Sequence, residues 1–321
     1  MIYILAIGGL ALLLASGDLL VRGTISLVAN LGISPLLMGL IIVGFGTSAP
    51  ELIISVEAAL TGAPGVALGN VVGSNIANVL LVLGAPALIA PLIFERAGVL
   101  RHALVMLGVS VIFMALAFGG VFAFYQGMVL LAMLAGFLLY SIRGRQLEAP
   151  PVLDMLKTDI ALGGIAGRTR SHLIASAMVA GGLAGLAVGA NHLISGAVGI
   201  ARALNVGEDV IGLSMLAIGT SLPELAITLT AAYRRRADVA LGNVIGSNIF
   251  NLLAVMGITA AIAPVPVPQR FLALDLWVML AAAAILLVFA ITRRPIGRGA
   301  GAAFLLCYVV YMILLYHFGN V

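Results

Sequence analysis

The stretch GFGTSAPELIISV, residues 44–56, places a proline and a glutamate inside a long apolar run. A second stretch, AIGTSLPELAITL, does the same at residues 217–229. A helix buried in a membrane gains nothing in packing from either residue, because proline removes a backbone hydrogen bond and an ionised carboxylate is costly in hydrocarbon. The two stretches therefore indicate functional positions within membrane-spanning segments.

The rest of the chain has the composition of a membrane protein. Of its 321 residues, 63% are hydrophobic and 9% are charged, whereas soluble domains carry about 25% charged residues. These values disfavour the alternative of a large soluble core. The basic residues fall in short separate loops, which argues against a nucleic-acid partner, and the single cysteine, Cys307, cannot form an intrachain disulfide.

Ten apolar runs are long enough to span a bilayer as helices, which takes about 20 residues each. The N-terminal run lacks a preceding positive charge, so we interpret it as the first span rather than a signal peptide. The predicted fold class is an all-α integral membrane protein with ten transmembrane helices. The spans are predicted near residues 2–21, 34–60, 66–91, 98–118, 121–142, 172–192, 207–232, 239–264, 270–291 and 301–318.

Positive charge is divided unevenly between the two sets of predicted loops. Of the 16 Lys and Arg residues, 14 lie in loops on one side, and only Arg202 and Arg270 lie on the other. Because basic loops are retained in the cytoplasm, we predict an inner-membrane protein with both termini outside. The central loop, residues 143–171, is then cytoplasmic, and it is too short to form a soluble regulatory domain.

The two opening stretches belong to a longer internal repeat. Residues 44–91, the first copy, align without gaps to residues 217–264, the second copy, at an offset of 173, and 27 of 48 positions are identical. Five predicted spans separate the copies, and since five is odd, the copies have opposite orientations. Secondary transporters use such inverted repeats, with the site near the membrane midplane. We therefore predict two inverted five-helix repeats, at 1–142 and 172–321, joined by a linker at 143–171.

Glu51 and Glu224 occupy equivalent positions well inside their predicted spans. A charge at that depth is tolerated when it is paired or faces a polar cavity, and we predict that the two glutamates share a cation. The alternative is that both are protonated structural residues bonded to helix backbones. Two carboxylates are balanced by one Ca²⁺, two Na⁺ or two protons, and mutual exclusion at one such pair provides a physical basis for antiport.

Oxygen-bearing groups accompany each glutamate. Thr47 and Ser48 precede Glu51 by four and three residues, which predicts that they share a helix face, and Pro50 deprives the Gly46 carbonyl of its usual partner. A plain proline kink is the alternative, but it does not explain a GTSxPE motif that occurs twice. Oxygen ligands favour Ca²⁺, Na⁺ or Mg²⁺ over Zn²⁺ or Cu⁺. The second copy repeats the arrangement with Thr220, Ser221, Pro223 and Glu224.

A second motif follows in each copy, as LGNVVGSNIAN at 68–78 and LGNVIGSNIFN at 241–251. Its GxxxG spacing permits close helix approach, and packing alone accounts for the glycines. Packing does not account for Ser74 with Asn78, or Ser247 with Asn251, because each pair lies four residues apart on one face. The remaining asparagines are expected to hydrogen-bond helix backbones; they are Asn70, Asn75, Asn243 and Asn248.

The paired GTSxPE and GNVxGSN motifs resemble the α-repeats of prokaryotic sodium/calcium exchangers in the calcium/cation antiporter superfamily. The resemblance covers most of the chain and implies Ca²⁺/Na⁺ antiport by alternating access, with the first and sixth spans sliding against the rest. It implies that Glu51 and Glu224 bind Ca²⁺ with the backbone carbonyls of Thr47 and Thr220. The remaining implied ion-site residues are Ser48, Ser74, Ser221 and Ser247, the carbonyls of Gly44 and Ala217, and Asn78 and Asn251 at the centre.

One position departs from the family pattern. In well-understood sodium/calcium members the position of Asn251 is often aspartate, so this chain lacks one charge, and the coupling ion stays open. A Ca²⁺/H⁺ antiporter that uses the same two glutamates is the alternative. The cation/proton branch, however, has a GNxxE-type first motif rather than GTSxPE.

Two other functional classes fit the sequence less well. An intramembrane enzyme would need a nucleophile or a metal-bound water, and no HExxH, GxSxG or Ser–His arrangement is evident. A passive channel does not need a buried pair of glutamates in inverted copies. We therefore expect Ca²⁺ and Na⁺ as transported ions, the lipid bilayer as surroundings, no resident cofactor and a functional monomer.

Overall fold

The structure is a computed structural model that describes residues 2–31, 44–94, 97–143, 169, 171–203 and 219–318. These residues are almost wholly helical, as expected for an integral membrane protein, because only internal hydrogen bonds can satisfy the backbone in lipid. Predictions about Ala217 and most of the linker lie outside the described residues.

The first half contains seven α-helices, one π-helical segment and one short strand in the described residues. They are α1 (Ile2–Leu31), α2 (Gly44–Thr47), α3 (Ala49–Leu60), α4 (Pro64–Ala77), the π-helical segment Asn78–Val82, α5 (Gly84–Ile89), α6 (Ala97–Ala117), β1 (Val121–Phe122) and α7 (Phe124–Arg143).

The described residues of the second half continue this order after the linker. They form α8 (His172–Ala203), α9 (Leu222–Tyr233), α10 (Ala237–Phe250), the π-helical segment Asn251–Val255, α11 (Met256–Ile262), β2 (Val265–Pro266), the π-helical segment Phe271–Asp275, α12 (Leu276–Thr292) and α13 (Arg298–Phe318).

Eight helical stretches within the described ranges are long and apolar enough to cross a membrane. They confirm the membrane-protein fold class that the composition predicts. The predicted spans near 34–60 and 207–232 are described only in their later parts, as α2, α3 and α9. The span predicted near 121–142 begins with a strand, and its helix starts at Phe124.

The two copies of the internal repeat adopt matching local conformations. In each copy a 14-residue helix, α4 or α10, runs into a five-residue π-helical segment that begins at Asn78 or Asn251. Each copy then ends in an extended residue, Ala90 or Ala263. A proline follows in both cases, and a residue before proline is pushed towards extended conformations.

Short strand contacts link the two halves reciprocally. β1 pairs antiparallel with β2, so that Phe122 lies opposite Val265. Leu92, which stands 173 residues before Val265, forms the counterpart bridge with Ile296 through two backbone hydrogen bonds of 3.0 and 3.1 Å. Each half therefore contributes the same segment to a contact with the other half.

The helices that carry the GNVxGSN motifs lie at the centre of the molecule. In the stretches Pro64–Ile89 and Ala237–Ile262, 78% and 83% of the residues in the most apolar window are buried. The corresponding share is 44% or less in the other six candidate spans of the described chain. Polar side chains on α4 and α10 therefore face protein rather than lipid.

Helices α1 and α8 pack closely along their length, in part through glycines. A Cβ atom added to Gly189 would lie 2.8 Å from the Leu13 backbone nitrogen, and one added to Gly23 would lie 2.9 Å from that of Val179. Small residues at such positions let two membrane helices approach closely. The two helices correspond to the first and sixth predicted spans, and they contact each other more extensively than they contact α9.

Candidate ion-binding site

Each GTSxPE motif marks the start of a helix. Ser48 separates α2 from α3 with φ −81° and ψ 3°, and Ser221 precedes α9 with φ −86° and ψ 1°. Pro50 and Pro223 fall in the first turn of these helices, where a backbone N–H needs no intrahelical partner. Backbone hydrogen bonds from Ser48 N–H to the Gly44 carbonyl and from Leu52 N–H to the Ser48 carbonyl continue on both sides of this break, and whether Thr47, Ser48 and Glu51 share a face stays a prediction.

Both glutamates lie in the first turn of their helices, Glu51 in α3 and Glu224 in α9. Both are 0% exposed. The N-terminus of a helix carries a partial positive charge from its unpaired N–H groups and favours a nearby carboxylate. The break in the helix thus supplies part of the charge compensation that a buried carboxylate needs.

Each glutamate-bearing helix accepts hydrogen bonds from an asparagine side chain of the following helix. The Asn70 side chain donates to the Glu51 carbonyl at 3.1 Å and to Ser55 Oγ at 3.0 Å. In the second copy, the Asn243 side chain donates to the Glu224 carbonyl at 3.3 Å and to Thr228 Oγ1 at 3.1 Å. The expected bonding of these asparagines to helix backbone is confirmed, and it fixes the position of the carboxylates.

Hydroxyl groups of one repeat copy contact hydroxyl groups of the other copy; we call these two contacts crossings. Thr47 Oγ1 lies 3.3 Å from Ser247 Oγ, and Ser74 Oγ lies 3.2 Å from Thr220 Oγ1. Thr47 and Thr220 are equivalent by the offset of 173, and so are Ser74 and Ser247. The GTSxPE motif of each copy therefore meets the GNVxGSN motif of the other, and the two copies build one site.

The first of these crossings reaches a carboxylate. Ser247 Oγ lies 3.5 Å from Glu224 Oε1 and 3.4 Å from the Gly44 carbonyl oxygen, which also accepts from Thr47 Oγ1 at 3.2 Å. At the other crossing, Thr220 Oγ1 contacts Ser74 Oγ, and neither carboxylate oxygen of Glu51 has a hydrogen-bond partner in the described chain.

Several buried oxygen atoms at this point have no hydrogen-bond partner within the described chain. A buried polar atom without a partner costs free energy, and so does a pair of like charges. A hard cation would contact such oxygens and offset the charge of the carboxylates. The unpartnered oxygens are both Oε atoms of Glu51, Glu224 Oε2, Oδ1 of Asn78 and of Asn251, and the hydroxyls of Ser48 and Ser221.

The ligand chemistry of the site is that of a hard cation. No cluster of three or more His, Cys, Asp or Glu side chains occurs in the part of the chain that the structure describes. Among the described residues of the site, the two glutamates are the charged oxygen donors, and the other oxygens are neutral. Ca²⁺ accepts this mixture of carboxylate, carbonyl and hydroxyl oxygens.

An apolar cavity of about 720 Å³ opens beside the GTSxPE motifs. Its lining includes Leu134, Leu138 and Leu183, together with Pro50 and Ile53. The lining also includes Gly46 and Thr47, so the cavity borders the first GTSxPE motif and is otherwise almost wholly apolar.

One inter-helix contact was not foreseen from the sequence. Asp18 of α1 accepts a hydrogen bond of 2.6 Å from Arg234 Nε, just beyond the end of α9, and pairs with Arg22 Nε at 2.7 Å. Asp18 and Arg22 are four residues apart, a spacing that predicts an ion pair on one face of a helix. Nothing in the sequence signals Arg234, because that contact spans 216 residues.

The model of the sodium/calcium exchanger protein family matches residues 1–143 and 174–317, which is most of the chain. The chain belongs to this family. The match confirms the resemblance that the paired motifs indicate.

Relatives from bacteria and archaea align over nearly the full length. The putative antiporter CaxA of Alkalimonas amylolytica is 36% identical, with 96% of each chain covered. Sodium/calcium exchanger MaX1 of Methanosarcina acetivorans is 30% identical over 98% of each chain. The inner membrane protein YrbG of Escherichia coli is 33% identical over 97% of this chain and 96% of that one.

Solved structures of the sodium-calcium exchanger NCX_Mj share the fold. The structure from a crystal soaked with 10 mM Na⁺ and zero Ca²⁺ matches with a TM-score of 0.83 and 31% identity, covering 98% of this chain and 100% of that one. One soaked with 100 mM Na⁺ and 10 mM Sr²⁺ matches with a TM-score of 0.82 and 30% identity over 98% and 99%. The chain is thus a multi-pass membrane protein, and its relatives include proteins named as an antiporter and as sodium/calcium exchangers.

Proposed function

We propose that this protein is a secondary antiporter that moves Ca²⁺ against Na⁺ by alternating access. The observation that carries the proposal is the group of buried, unpartnered oxygens that both motif copies direct around Glu51 and Glu224. Two carboxylates balance one Ca²⁺ or two Na⁺, so the two ions compete for the same charge. The names of relatives, which include a sodium/calcium exchanger, support the choice of ions.

Within this proposal, Ca²⁺ binds centrally to Glu51 and Glu224 with the backbone carbonyls of Thr47 and Thr220. Asn78 and Asn251 line the centre. The paired helices α1 and α8 move together against the remainder, which their close mutual packing supports. Flanking Na⁺ sites use Ser48, Ser74, Ser221, Ser247 and the carbonyls of Gly44 and Ala217.

The proposed setting is the inner membrane, with the termini outside, the segment 143–171 in the cytoplasm and one chain as the functional unit. The 14-to-2 division of basic residues supports this orientation. A single chain supplies both halves of the site, which supports a monomer.

A Ca²⁺/H⁺ antiporter is the second candidate. It is favoured by the neutral side chains of Asn78 and Asn251, which leave the two glutamates as the only carboxylates at the site in the described residues. Two protons would balance these carboxylates as well as two Na⁺ would.

Gradient-driven uptake of ⁴⁵Ca²⁺ into proteoliposomes separates the candidates. We expect uptake that requires an opposing Na⁺ gradient and persists when the pH is equal on both sides. Uptake driven by a pH gradient in the absence of Na⁺ would establish the proton-coupled alternative instead. Uptake without any countergradient would contradict antiport and indicate a channel.

A further inference from the structure

The amide of Asn78 can present either an oxygen or an NH₂ group to its surroundings, and only the oxygen can bind a cation. Asn78 is 0% exposed and begins the π-helical segment that follows α4. Its Nδ2 donates to Asn248 Oδ1 at 3.0 Å, while its Oδ1 has no partner in the described chain. The orientation of the amide is therefore decided by Asn248.

The orientation of Asn248 is decided in turn by groups that can only accept a hydrogen bond. Its Nδ2 donates to the Asn75 carbonyl oxygen at 3.4 Å and lies 3.5 Å from Met106 Sδ. Neither a carbonyl nor a thioether has a proton to donate. Asn248 must therefore direct its NH₂ towards them and its Oδ1 towards Asn78, which then directs its own NH₂ towards Asn248 and its oxygen away.

The equivalent relay is missing in the second copy, although the residues are identical. The position equivalent to Asn248 is Asn75, and its Nδ2 donates to Val71 O of its own helix at 2.7 Å. Asn251, the equivalent of Asn78, has no partner for either polar atom of its side chain among the described residues. One central asparagine is thus held in a single orientation, and the other is not held by any described residue.

We propose that Asn248 is a positioning residue, which holds Asn78 as an oxygen ligand for the transported cation. The two central asparagines are then unequal: Asn78 is a fixed ligand, whereas Asn251 is free to turn its amide as the bound ion changes. This inference rests on the proposed Ca²⁺/Na⁺ exchange and assigns a specific ligand role within it.

The test compares Asn248→Leu with the matched control Asn75→Leu in the proteoliposome assay. Leucine has nearly the size of asparagine but cannot hydrogen-bond, so Asn78 loses its orienting acceptor. We expect N248L to raise the half-saturating Ca²⁺ concentration about fivefold, as for the loss of one neutral oxygen contact. The maximal rate per reconstituted carrier should change less than twofold. A purely structural defect would instead lower that rate. N75L should leave half-saturation unchanged, since the Asn75 carbonyl remains.

A second background distinguishes positioning from packing. In Asn78→Asp, the side chain presents an oxygen in either orientation, and N248L also removes the Asn248 oxygen that faces the new carboxylate, so adding N248L should not raise half-saturation further. An equal shift in both backgrounds, or a shift in N75L as large as that in N248L, would overturn the inference. Asn248→Ala, with the same expectations, replaces N248L if the leucine variant is not recovered folded.

Failure of the wild-type protein to exchange Ca²⁺ for Na⁺ would contradict the proposed function itself, whereas exchange with unchanged N248L half-saturation would contradict only the role of Asn248.

Discussion

Glu51 and Glu224 are fully enclosed, yet three of their four carboxylate oxygens have no hydrogen-bond partner in the described part of the chain. The helix N-terminus that each one occupies compensates only part of a full charge, about half an elementary charge. The remainder must come from a bound cation or a proton. The sequence predicts this pair from its depth in the spans, because no packing argument accounts for a buried glutamate.

Neutralising either glutamate should abolish Ca²⁺ transport. Glu51→Gln or Glu224→Gln removes half of the negative charge that compensates the ion, while it preserves the size of the side chain. The measurement is Na⁺-driven ⁴⁵Ca²⁺ uptake per reconstituted carrier, with Glu57→Gln as a control, because Glu57 lies on the same helix as Glu51 but is exposed. Near-normal uptake by E51Q or E224Q would exclude the site assignment.

Adding a carboxylate at the centre should strengthen cation binding. Asn251 is 0% exposed and its amide lacks partners among the described residues, so Asn251→Asp would place a charge beside the bound ion. We expect N251D to lower the half-saturating concentration of Ca²⁺ or Na⁺. Asn191→Asp, on an exposed position of α8, serves as the control for a general charge effect. Unchanged affinities for both ions in N251D would mean that Asn251 does not face the site.

At the scale of helices, the sequence indicates a disruption at each GTSxPE motif but not its form. Proline is compatible with a kink and equally with the first turn of a new helix, and only the backbone angles at Ser48 and Ser221 distinguish the two. The π-helical segments that begin at Asn78 and Asn251 carry no sequence signal that we can identify. The repeat predicts which residues are equivalent, but the crossing of Thr47 to Ser247 depends on tertiary packing.

The Asp18–Arg234 pair links α1 to the end of α9, and it should contribute modestly to stability. Both side chains are partly exposed, at 30% and 21%, where a pair contributes about 0.2–1 kcal/mol. We expect Asp18→Asn and Arg234→Gln each to lower the thermal midpoint of the detergent-solubilised protein. Because the two changes remove one shared interaction, the double variant should lose less than the sum of the single losses. Arg235→Gln, the exposed neighbour, is the control; additive losses in the double variant would show that the pair is not coupled.

The equivalent positions in the other half cannot form an ion pair. Asn191 stands at the position of Asp18, and Thr61 stands at that of Arg234. The Thr61 hydroxyl instead bonds to the Glu57 carbonyl of its own helix at 2.8 Å. The charged link is therefore present in one half only, although the motif regions remain nearly identical.

For the whole molecule, composition was sufficient to predict a helical membrane protein. A chain with so few charged residues and so many apolar ones is more stable in a lipid bilayer than in water. The paired motifs were sufficient to predict the family, since they combine rare residues at fixed spacings. The division at 143–171 and the assignment of individual ion ligands stay predictions. Contacts between distant residues, such as Asn78 with Asn248, could not be predicted from spacing alone.

The orientation of the chain in the membrane can be tested with reporter fusions. We expect a disulfide-dependent phosphatase fused after residue 321 to be active. The fusion would lie outside the cytoplasm, in a compartment that allows its disulfides to form. A fluorescent protein that matures in the cytoplasm should be dark there and bright when inserted within 143–171. The reverse pattern would contradict both the span count and the orientation inferred from the basic loops.

The crossed hydroxyl contacts show that the two halves of the chain are arranged like the two subunits of a dimer that are joined into one polypeptide. A contact from residue i of one half to j of the other, repeated from j to i, is the signature of a two-fold interface between identical subunits. Thr47 with Ser247 and Ser74 with Thr220 follow this rule, and the strand bridges follow it to within one residue. A chain of half this length would present an incomplete set of ligands, and a second copy of itself in antiparallel orientation would complete the set.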